Sequence, residues 1–537
     1  MPNTIPGLLI EAAERDADGI WIRTDDGALS FGQTAAAVAR IGQRLTQLGV
    51  RPRDLVLVTT RTTPEYLLTW LAVVSMGAIL VPTDPESAAG ELVGLARQVS
   101  PRVIISDVTL IPSLTVNGIA ALASLGVLDV NELVGNWLEP MAGGTLMVST
   151  PSADDLAILI PTSGTTGKSK LVMQTHRAYA MAGEGFPYWM ELTSDDRLMT
   201  SLPLFHVNAP AYSMLGSLAC GAGFVLLPRF SASGFLDSAR RHGATEFNAI
   251  GAMLEILMRQ PIRADDADTP LRLCYTGPSP AREWQEAFEE RFGLKVVCGY
   301  AMSESPYGLI WRHGTRPFGT LGWPRQHPTM GEINYARVVL DDGAQASVGD
   351  VGELLLQNPT LTPGYWEMPD ETAAVLVDGW LHTGDLVTTN LDGSYTFVSR
   401  KKEVIRRRGK NLSPAEVEDA LLTHPGVLEC AVVAVPSELT EDEVKAFIVF
   451  TPGERPSFDE LRQWANSRLS EFKLPRFWEA IDDLPRTPTA RIAKHRLPAG
   501  HTPDEYDSAP LHSAPLHSAP LHGQSPEATS AANENEV

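Results

Sequence analysis

The sequence predicts an α/β protein: a large N-terminal domain of mixed sheets flanked by helices, followed by a small α+β domain. Three observations carry this. The chain has 537 residues, far more than one hydrophobic core organises. Short apolar runs alternate with helical patterns through most of it, the signature of largely parallel sheets covered by helices. The texture then changes near residue 400, where a basic cluster interrupts an acidic protein.

The alternation is clearest early on. Residues 55–59 form a strand-like run, 64–76 a helical one, and 78–82 a second strand. Runs at 103–106, 156–160, 224–227 and 296–298 read as further buried strands. The apolar stretch 66–82 is short and holds Gly77 and Pro82, so a core helix and strand are expected rather than a membrane span. The second domain begins with the cluster 400–409. A helix is expected from Pro414, with Ser413 as N-cap and Glu416 at its third position. Strands at 428–435 and 444–450 and a helix over 458–470 complete it. The expected boundaries are 1–399, 400–500 and a tail, 501–537. In that tail Ser508-Ala-Pro-Leu-His512 recurs at 513–517 and 518–522. Three such short repeats are too few to stack a core, so a disordered tail is expected; a His-tract metal site is the rival reading.

Composition narrows the function classes. Hydrophobic residues make up 44% and charged residues 20%, an ordinary globular balance. A net charge of −22 argues against a nucleic-acid partner, because phosphate backbones require Lys and Arg. Cys220, Cys274, Cys298 and Cys430 form no C-x-x-C pair, which suits a reducing compartment and gives no metal signal. The N-terminus lacks a basic region and meets Glu11 early, so no signal peptide and a cytoplasmic location are expected.

The chemistry lies in a set of motifs. Pro161-Thr-Ser-Gly-Thr-Thr-Gly-Lys-Ser-Lys170 follows a strand-like run. Gly164 and Gly167 permit close backbone approach, while Thr162, Ser163, Thr165 and Thr166 supply hydroxyls. The loop amides can face an anion, and Lys168 or Lys170 adds positive charge, so phosphate is the natural guest. The segment is not a Walker A loop, which would need glycine at Thr162.

This loop resembles the phosphate loop of the adenylate-forming superfamily: acyl-CoA and aryl-CoA ligases, peptide-synthetase adenylation domains and luciferases. The likeness covers about residues 1–500, with further motifs in family order. Pro203-Leu-Phe-His206 is similar to the signature whose histidine lies beside the acyl group. Tyr275-Thr-Gly-Pro-Ser279 resembles the loop against adenine, implying roles for Gly277, Pro278 and Ser279. Gly299-Tyr-Ala-Met-Ser-Glu304 resembles the motif whose aromatic stacks on adenine and whose glutamate binds Mg²⁺. That implies nucleotide contacts from Gly299, Tyr300, Ala301, Met302 and Ser303 and a metal ligand in Glu304, a hard oxygen donor suited to Mg²⁺. Trp380-Leu-His-Thr-Gly-Asp385 resembles the ribose motif, and Arg400 its basic partner. Glu403 stands at the family's hinge, with Ser399 in place of glycine and Glu403 in place of aspartate. Arg408, Gly409 and the segment to Glu418 resemble the coenzyme A face. The region 221–261 most resembles crotonobetaine/carnitine-CoA ligases.

One motif departs. The family's last signature supplies a lysine to the substrate carboxylate and α-phosphate during adenylation; here Pro485-Arg-Thr-Pro-Thr-Ala-Arg-Ile492 places Arg491 there and Ala490 at the glycine. Lys494 matches a second basic position. Arginine keeps the charge as a wider planar fork. The resemblance thus implies an acyl-CoA ligase using ATP, AMP, Mg²⁺ and coenzyme A, with His206, Glu304 and Arg491 in catalytic places. Its partners are a small carboxylic acid or acyl-AMP, and a separate adenylating ligase if its own adenylation is weakened. It would be a monomer or homodimer. Small residues in 205–216, 248–254, 277–279 and 299–305 predict a roomy apolar acyl pocket for a bulky acid, such as one from secondary metabolism. The rival readings are a two-step ligase that tolerates Arg491, a peptide-synthetase loading domain, which His206 disfavours, and a weakly catalytic nucleotide-binding regulator.

Overall fold

The computed structural model describes residues 4–139, 151–162, 170–277, 279–407, 410–436, 442–487, 492–498 and 500–508. Among them, the large domain carries a nine-stranded, a six-stranded and a five-stranded sheet. The six-stranded sheet runs Val127–Asp129, Val103–Ser106, Leu55–Thr59, Ile79–Thr83, Leu156–Thr162, Lys170–Thr175. Its central strands are parallel and buried, so they read as unbroken apolar runs rather than alternating ones. The helix Pro64–Ser75 covers them. It opens on Thr63, whose Oγ1 accepts from the Tyr66 amide at 3.3 Å, with Pro64 at a position where a missing N–H costs nothing.

The nine-stranded sheet positions the site. Its order is Trp323–Pro324, Ser305–Ile310, Lys295–Met302, Leu273–Thr276, Glu246–Asn248, Arg197–Thr200, Gly223–Leu226, Ile20–Thr24, Gly27–Ser30. The strand expected at 296–298 is longer and carries the Gly-Tyr motif within it. Five central strands are parallel, so their carboxyl ends share one edge, the usual place for ligands in such sheets. The five-stranded sheet contains the strand Trp380–Thr389, paired with Val351–Gln357 on one side and Tyr395–Arg400 on the other.

After Arg400 a short 3₁₀ turn, Lys401–Glu403, leads into a second body with its own apolar cores, built around Ile405, Val432, Ile448, Trp478 and around Phe447 and Leu484. Its strands Val427–Pro436 and Asp442–Phe450 match the expected ones within two residues. Two sequence expectations change. Ser413 precedes the helix Pro414–Leu422 but does not cap it with its side chain; its Oγ donates to the Val398 carbonyl at 2.7 Å and so ties the helix start to the preceding sheet. The helix expected over 458–470 ends at Asn466.

The tail boundary also moves. Tyr506–Asp507 adds a fourth strand beside Phe477–Ala480. The wholly buried Lys445 explains it: its ammonium lies 2.8 Å from Glu505, 2.9 Å from Thr502 Oγ1 and 2.7 Å from Glu479. A buried lysine requires such partners, and two of them come from 501–508, which therefore belongs to the small domain. The repeats beyond Ser508 lie outside the described residues. Among the described residues, no helix is long and apolar enough to cross a membrane.

Candidate functional site

The site grows from two strands that approach unusually closely. Leu273–Thr276 and Lys295–Met302 are parallel, with Thr276 opposite Cys298, and Gly277 and Gly299 follow those partners. A Cβ on Gly277 would fall 2.3 Å from the Gly299 carbonyl oxygen; one on Gly299 would fall 2.8 Å from the Tyr275 ring and 3.0 Å from the Leu309 carbonyl. Glycine is what the backbone distance demands.

One residue on, the Tyr300 hydroxyl donates to Asp385 Oδ2 at 2.6 Å. Asp385 stands on Trp380–Thr389, 5% exposed, with Arg400 opposite it in the ladder and the Arg400 Nε 3.4 Å from its Oδ1. Burial, together with the adjacent Asp385 charge, raises the Tyr300 hydroxyl far above the usual tyrosine range, so it is a donor at any working pH. Two residues a hundred positions apart, Tyr300 and Arg400, thus meet at one carboxylate. Gly384 adopts a positive φ of 71°, and the Asp385 amide donates to Thr383 Oγ1 at 3.1 Å.

Glu304 closes the two-residue turn after Met302, which pairs with Ser305. Its Oε1 accepts from the Tyr365 hydroxyl at 2.9 Å and its carbonyl from the Thr362 amide at 2.8 Å. Burial lifts its carboxyl above the ordinary range; Tyr365 and the Arg400 charge oppose that shift, and Asp385 adds to it. Glu304 and the Asp385–Arg400 pair therefore share one field. Ser303 offers its carbonyl to the Gln174 side-chain amide. Ala301 packs against the main core.

The phosphate-loop motif joins two antiparallel strands: Thr162 pairs with Lys170, and Thr162 Oγ1 donates to the Lys170 carbonyl at 3.2 Å. Ser163, Gly164, Thr165 and Thr166 lie outside the described residues, as do Pro278, Arg408, Gly409 and Arg491. Lys170 Nζ sits 4.7 Å above the Tyr365 ring and pairs with the exposed end of Glu371. Tyr365 thus touches both Lys170 and Glu304. Ser279 Oγ accepts from the Gly319 amide at 3.1 Å.

His206 lies elsewhere along the same sheet edge, on the loop after Arg197–Thr200, its ring 4.8 Å from Phe205. That strand is three spacings from Lys295–Met302, roughly 14 Å at about 4.8 Å per strand. The loop runs into a π-helix, Ala209–Met214, a form concentrated at functional positions. The small residues expected to open a pocket are mostly used for packing. Ala209 and Ala211 are wholly buried, and a Cβ on Gly216 would meet Phe186 at 3.0 Å; Gly251 has open space. Glu403 stands 3.6 Å from Lys494 Nζ, which lies 2.8 Å from Glu418.

Sequence reasoning missed Tyr365, Thr362 and Gln174. Tyr365 carries no local motif; its role exists through two contacts made across long stretches of chain.

The comparisons meet this geometry. The model of the AMP-binding enzyme family matches residues 9–366 and that of the AMP-binding enzyme C-terminal domain matches 416–491. The chain belongs to the AMP-binding enzyme family. A crotonobetaine/carnitine–CoA ligase of Salmonella paratyphi C is 30% identical over 485 residues, 87% of this chain and 92% of that protein. The anthranilate CoA ligase AuaEII in complex with anthranoyl-AMP superposes with a TM-score of 0.83 at 24% identity, covering 93% of this chain and 97% of that one. The o-succinylbenzoate CoA synthetase of Bacillus subtilis with ATP and magnesium gives 0.79 at 24% identity, covering 91% and 98%. These two similarities establish the fold. Its curated relatives in that family are acid–thiol ligases, and the chain is an enzyme of that acyl-CoA ligase type.

Proposed function

We propose that the enzyme binds ATP between the 162–170 motif, residues 275–279 and 299–304, and Asp385, and that its adenylation step is weakened relative to thioester formation. The observation that carries the nucleotide reading is the convergence of Tyr300 and Arg400 on one buried carboxylate, Asp385, with the Glu304 carboxyl within reach of the same charges. In this reading Asp385 accepts from both ribose hydroxyls, since a carboxylate offers about four lone-pair sites. Tyr300 lies against adenine, and Gly277 and Gly299 let backbone approach the base. Lys170 leaves its pair with Glu371, which solvent screens and so holds weakly, and turns to phosphate.

Glu304 fits a magnesium ion. It is a hard oxygen donor, and burial makes its negative charge costly unless a cation offsets it. Mg²⁺ is usually held by one or two carboxylates plus substrate phosphates. When bound it neutralises charge developing on the phosphates.

In the first half-reaction the substrate carboxylate attacks the α-phosphorus, the bond to the β-phosphate oxygen breaks, and pyrophosphate leaves. In the second, the coenzyme A sulfur attacks the acyl carbonyl, AMP leaves, and the thiol proton is released. Both steps rest on positioning and charge. His206 would sit beside the acyl group, and the roughly 14 Å across two strands leaves room for an acid of substantial, mainly apolar body. The small domain, 400–508, pivots about Glu403 and presents the face with Arg408 and Gly409 to coenzyme A. Contacts between the bodies such as Arg496–Glu91, at 3.7 Å between half-exposed side chains, are of a kind that barely resists motion.

Arg491 motivates the weakened first step. Lys494, three residues on, is held by Glu418 and Glu403, which opposes its serving as a substitute. The second step does not involve position 491, so the enzyme can accept acyl-AMP made by a separate ligase. The test is ATP–pyrophosphate exchange set against thioester formation from synthetic acyl-AMP, in wild type and Arg491→Lys.

A further inference from the structure

Behind Glu304 lies a chain of buried amides that no nucleotide would touch. The strand Ser305–Ile310 follows the turn that carries Glu304, and its polar groups are taken up one after another. Asn334 Nδ2 donates to the Gly308 carbonyl at 2.7 Å. Asn358 Nδ2 donates to Asn334 Oδ1 at 3.0 Å and to Ser305 Oγ at 3.1 Å. Asn358 Oδ1 in turn accepts from the Thr360 amide at 3.0 Å and from its hydroxyl at 2.7 Å. Arg325, 1% exposed, donates to the Pro306 carbonyl at 3.1 Å and the Leu309 carbonyl at 3.2 Å.

The direction of this chain is fixed. The Thr360 amide can only donate, so the Asn358 oxygen must face it and the Asn358 nitrogen must face Asn334. The Gly308 carbonyl can only accept, so the Asn334 nitrogen must face Gly308. Both asparagines are buried, at 5% and 8% exposure, where an unmade hydrogen bond is expensive. The network therefore permits one arrangement of the strand. Its geometric consequence falls on the two-residue turn, because Ser305 is the next residue and its partner Met302 closes the hairpin. Tyr300, by contrast, is held from the other side by Asp385.

We propose that Asn334 and Asn358, supported by Arg325, are positioning residues that aim the Glu304 carboxylate and so set the affinity for Mg²⁺-bound ATP without setting the affinity for AMP. This rests on the reading of Glu304 as the Mg²⁺ ligand. Groups that orient a metal ligand are typically worth tenfold or more in metal affinity.

The experiment is calorimetric binding of ATP with Mg²⁺, and of AMP without metal, to the full chain. Asn334→Asp keeps the shape but loses the donor to Gly308; Ser305→Ala removes one acceptor and is the milder variant if Asn334→Asp fails to fold. The expected result is an ATP·Mg²⁺ affinity weakened about tenfold by Asn334→Asp and about threefold by Ser305→Ala, with AMP affinity within twofold of wild type. Equal losses for ATP·Mg²⁺ and AMP, or no loss in either variant, overturn the inference. Glu304→Gln separates the two readings. If it weakens ATP·Mg²⁺ binding while the positioning variants do not, this inference alone fails. If it leaves that binding unchanged, the metal assignment of Glu304 fails and takes this inference with it.

Discussion

Replacing Asp385 with alanine removes the residue on which the nucleotide site converges. In the free protein its carboxylate accepts from the Tyr300 hydroxyl at 2.6 Å and faces Arg400 at 3.4 Å. With nucleotide bound it would also accept from two ribose hydroxyls. Hydrogen bonds to a charged acceptor contribute about 1.5–3 kcal/mol each, so two predict a loss of about 3 kcal/mol even at the lower value. At about 1.4 kcal/mol per decade, that weakens AMP roughly a hundredfold or somewhat more. A second effect has the opposite dependence on ligand: the buried Tyr300 hydroxyl loses its acceptor, which costs about 1–3 kcal/mol of stability with no ligand present. Tyr300→Phe in the Asp385→Ala background should recover part of that stability and none of the AMP affinity. Calorimetry with AMP and urea unfolding measure the two terms separately. AMP affinity within threefold of wild type in a folded Asp385→Ala protein refutes the reasoning.

Two further outcomes follow from particular residues. Gly277→Ala places a Cβ 2.3 Å from the Gly299 carbonyl, which forces the two strands apart under the base; AMP binding is expected to weaken at least about tenfold, the scale of one lost positioning contact, and an unchanged affinity by calorimetry contradicts the close-approach argument. The His176 ring is wholly buried, neither of its nitrogens has a hydrogen-bond partner among the described residues, and burial lowers its pKa to about 4. The folded state keeps it neutral while the unfolded chain takes up a proton below about pH 6.5. Stability is therefore full above pH 6.5 and falls as pH drops toward 4, by up to about 3 kcal/mol. Urea unfolding at pH 7 and pH 5 should show a smaller difference for His176→Gln than for wild type; equal differences contradict it.

Much of the fold was legible because local pattern and tertiary placement agree. Leu55–Thr59 and Val103–Ser106 are strands buried on both faces, so hydrophobicity alone marks their ends. The glycines at 277 and 299 were legible as motif residues, and the structure supplies the reason: backbone meets backbone there. What was not legible depends on contacts distant in sequence. Nothing near Tyr365 announces that it touches both Lys170 and Glu304, and Asn334 and Asn358 look like ordinary polar residues until the strand they hold is in place. Residues 501–508 read as the start of a tail because their anchor, Lys445, is 57 residues from Thr502 and 60 from Glu505. Small residues misled in another way. Gly216 was expected to leave volume, but Phe186 fills the space a side chain would occupy.

The most direct measurement of the central claim is the split assay on one preparation: acid-dependent ATP–pyrophosphate exchange, and thioester formation from synthetic acyl-AMP and coenzyme A, for wild type and Arg491→Lys across a panel of acids. The account predicts rapid thioester formation by both proteins. It also predicts slow exchange by wild type that Arg491→Lys accelerates about a hundredfold, the scale of one well-placed charge contact to a transition state. Robust exchange by wild type that Arg491→Lys does not accelerate would contradict it and leave a two-step ligase in which arginine serves in place of lysine.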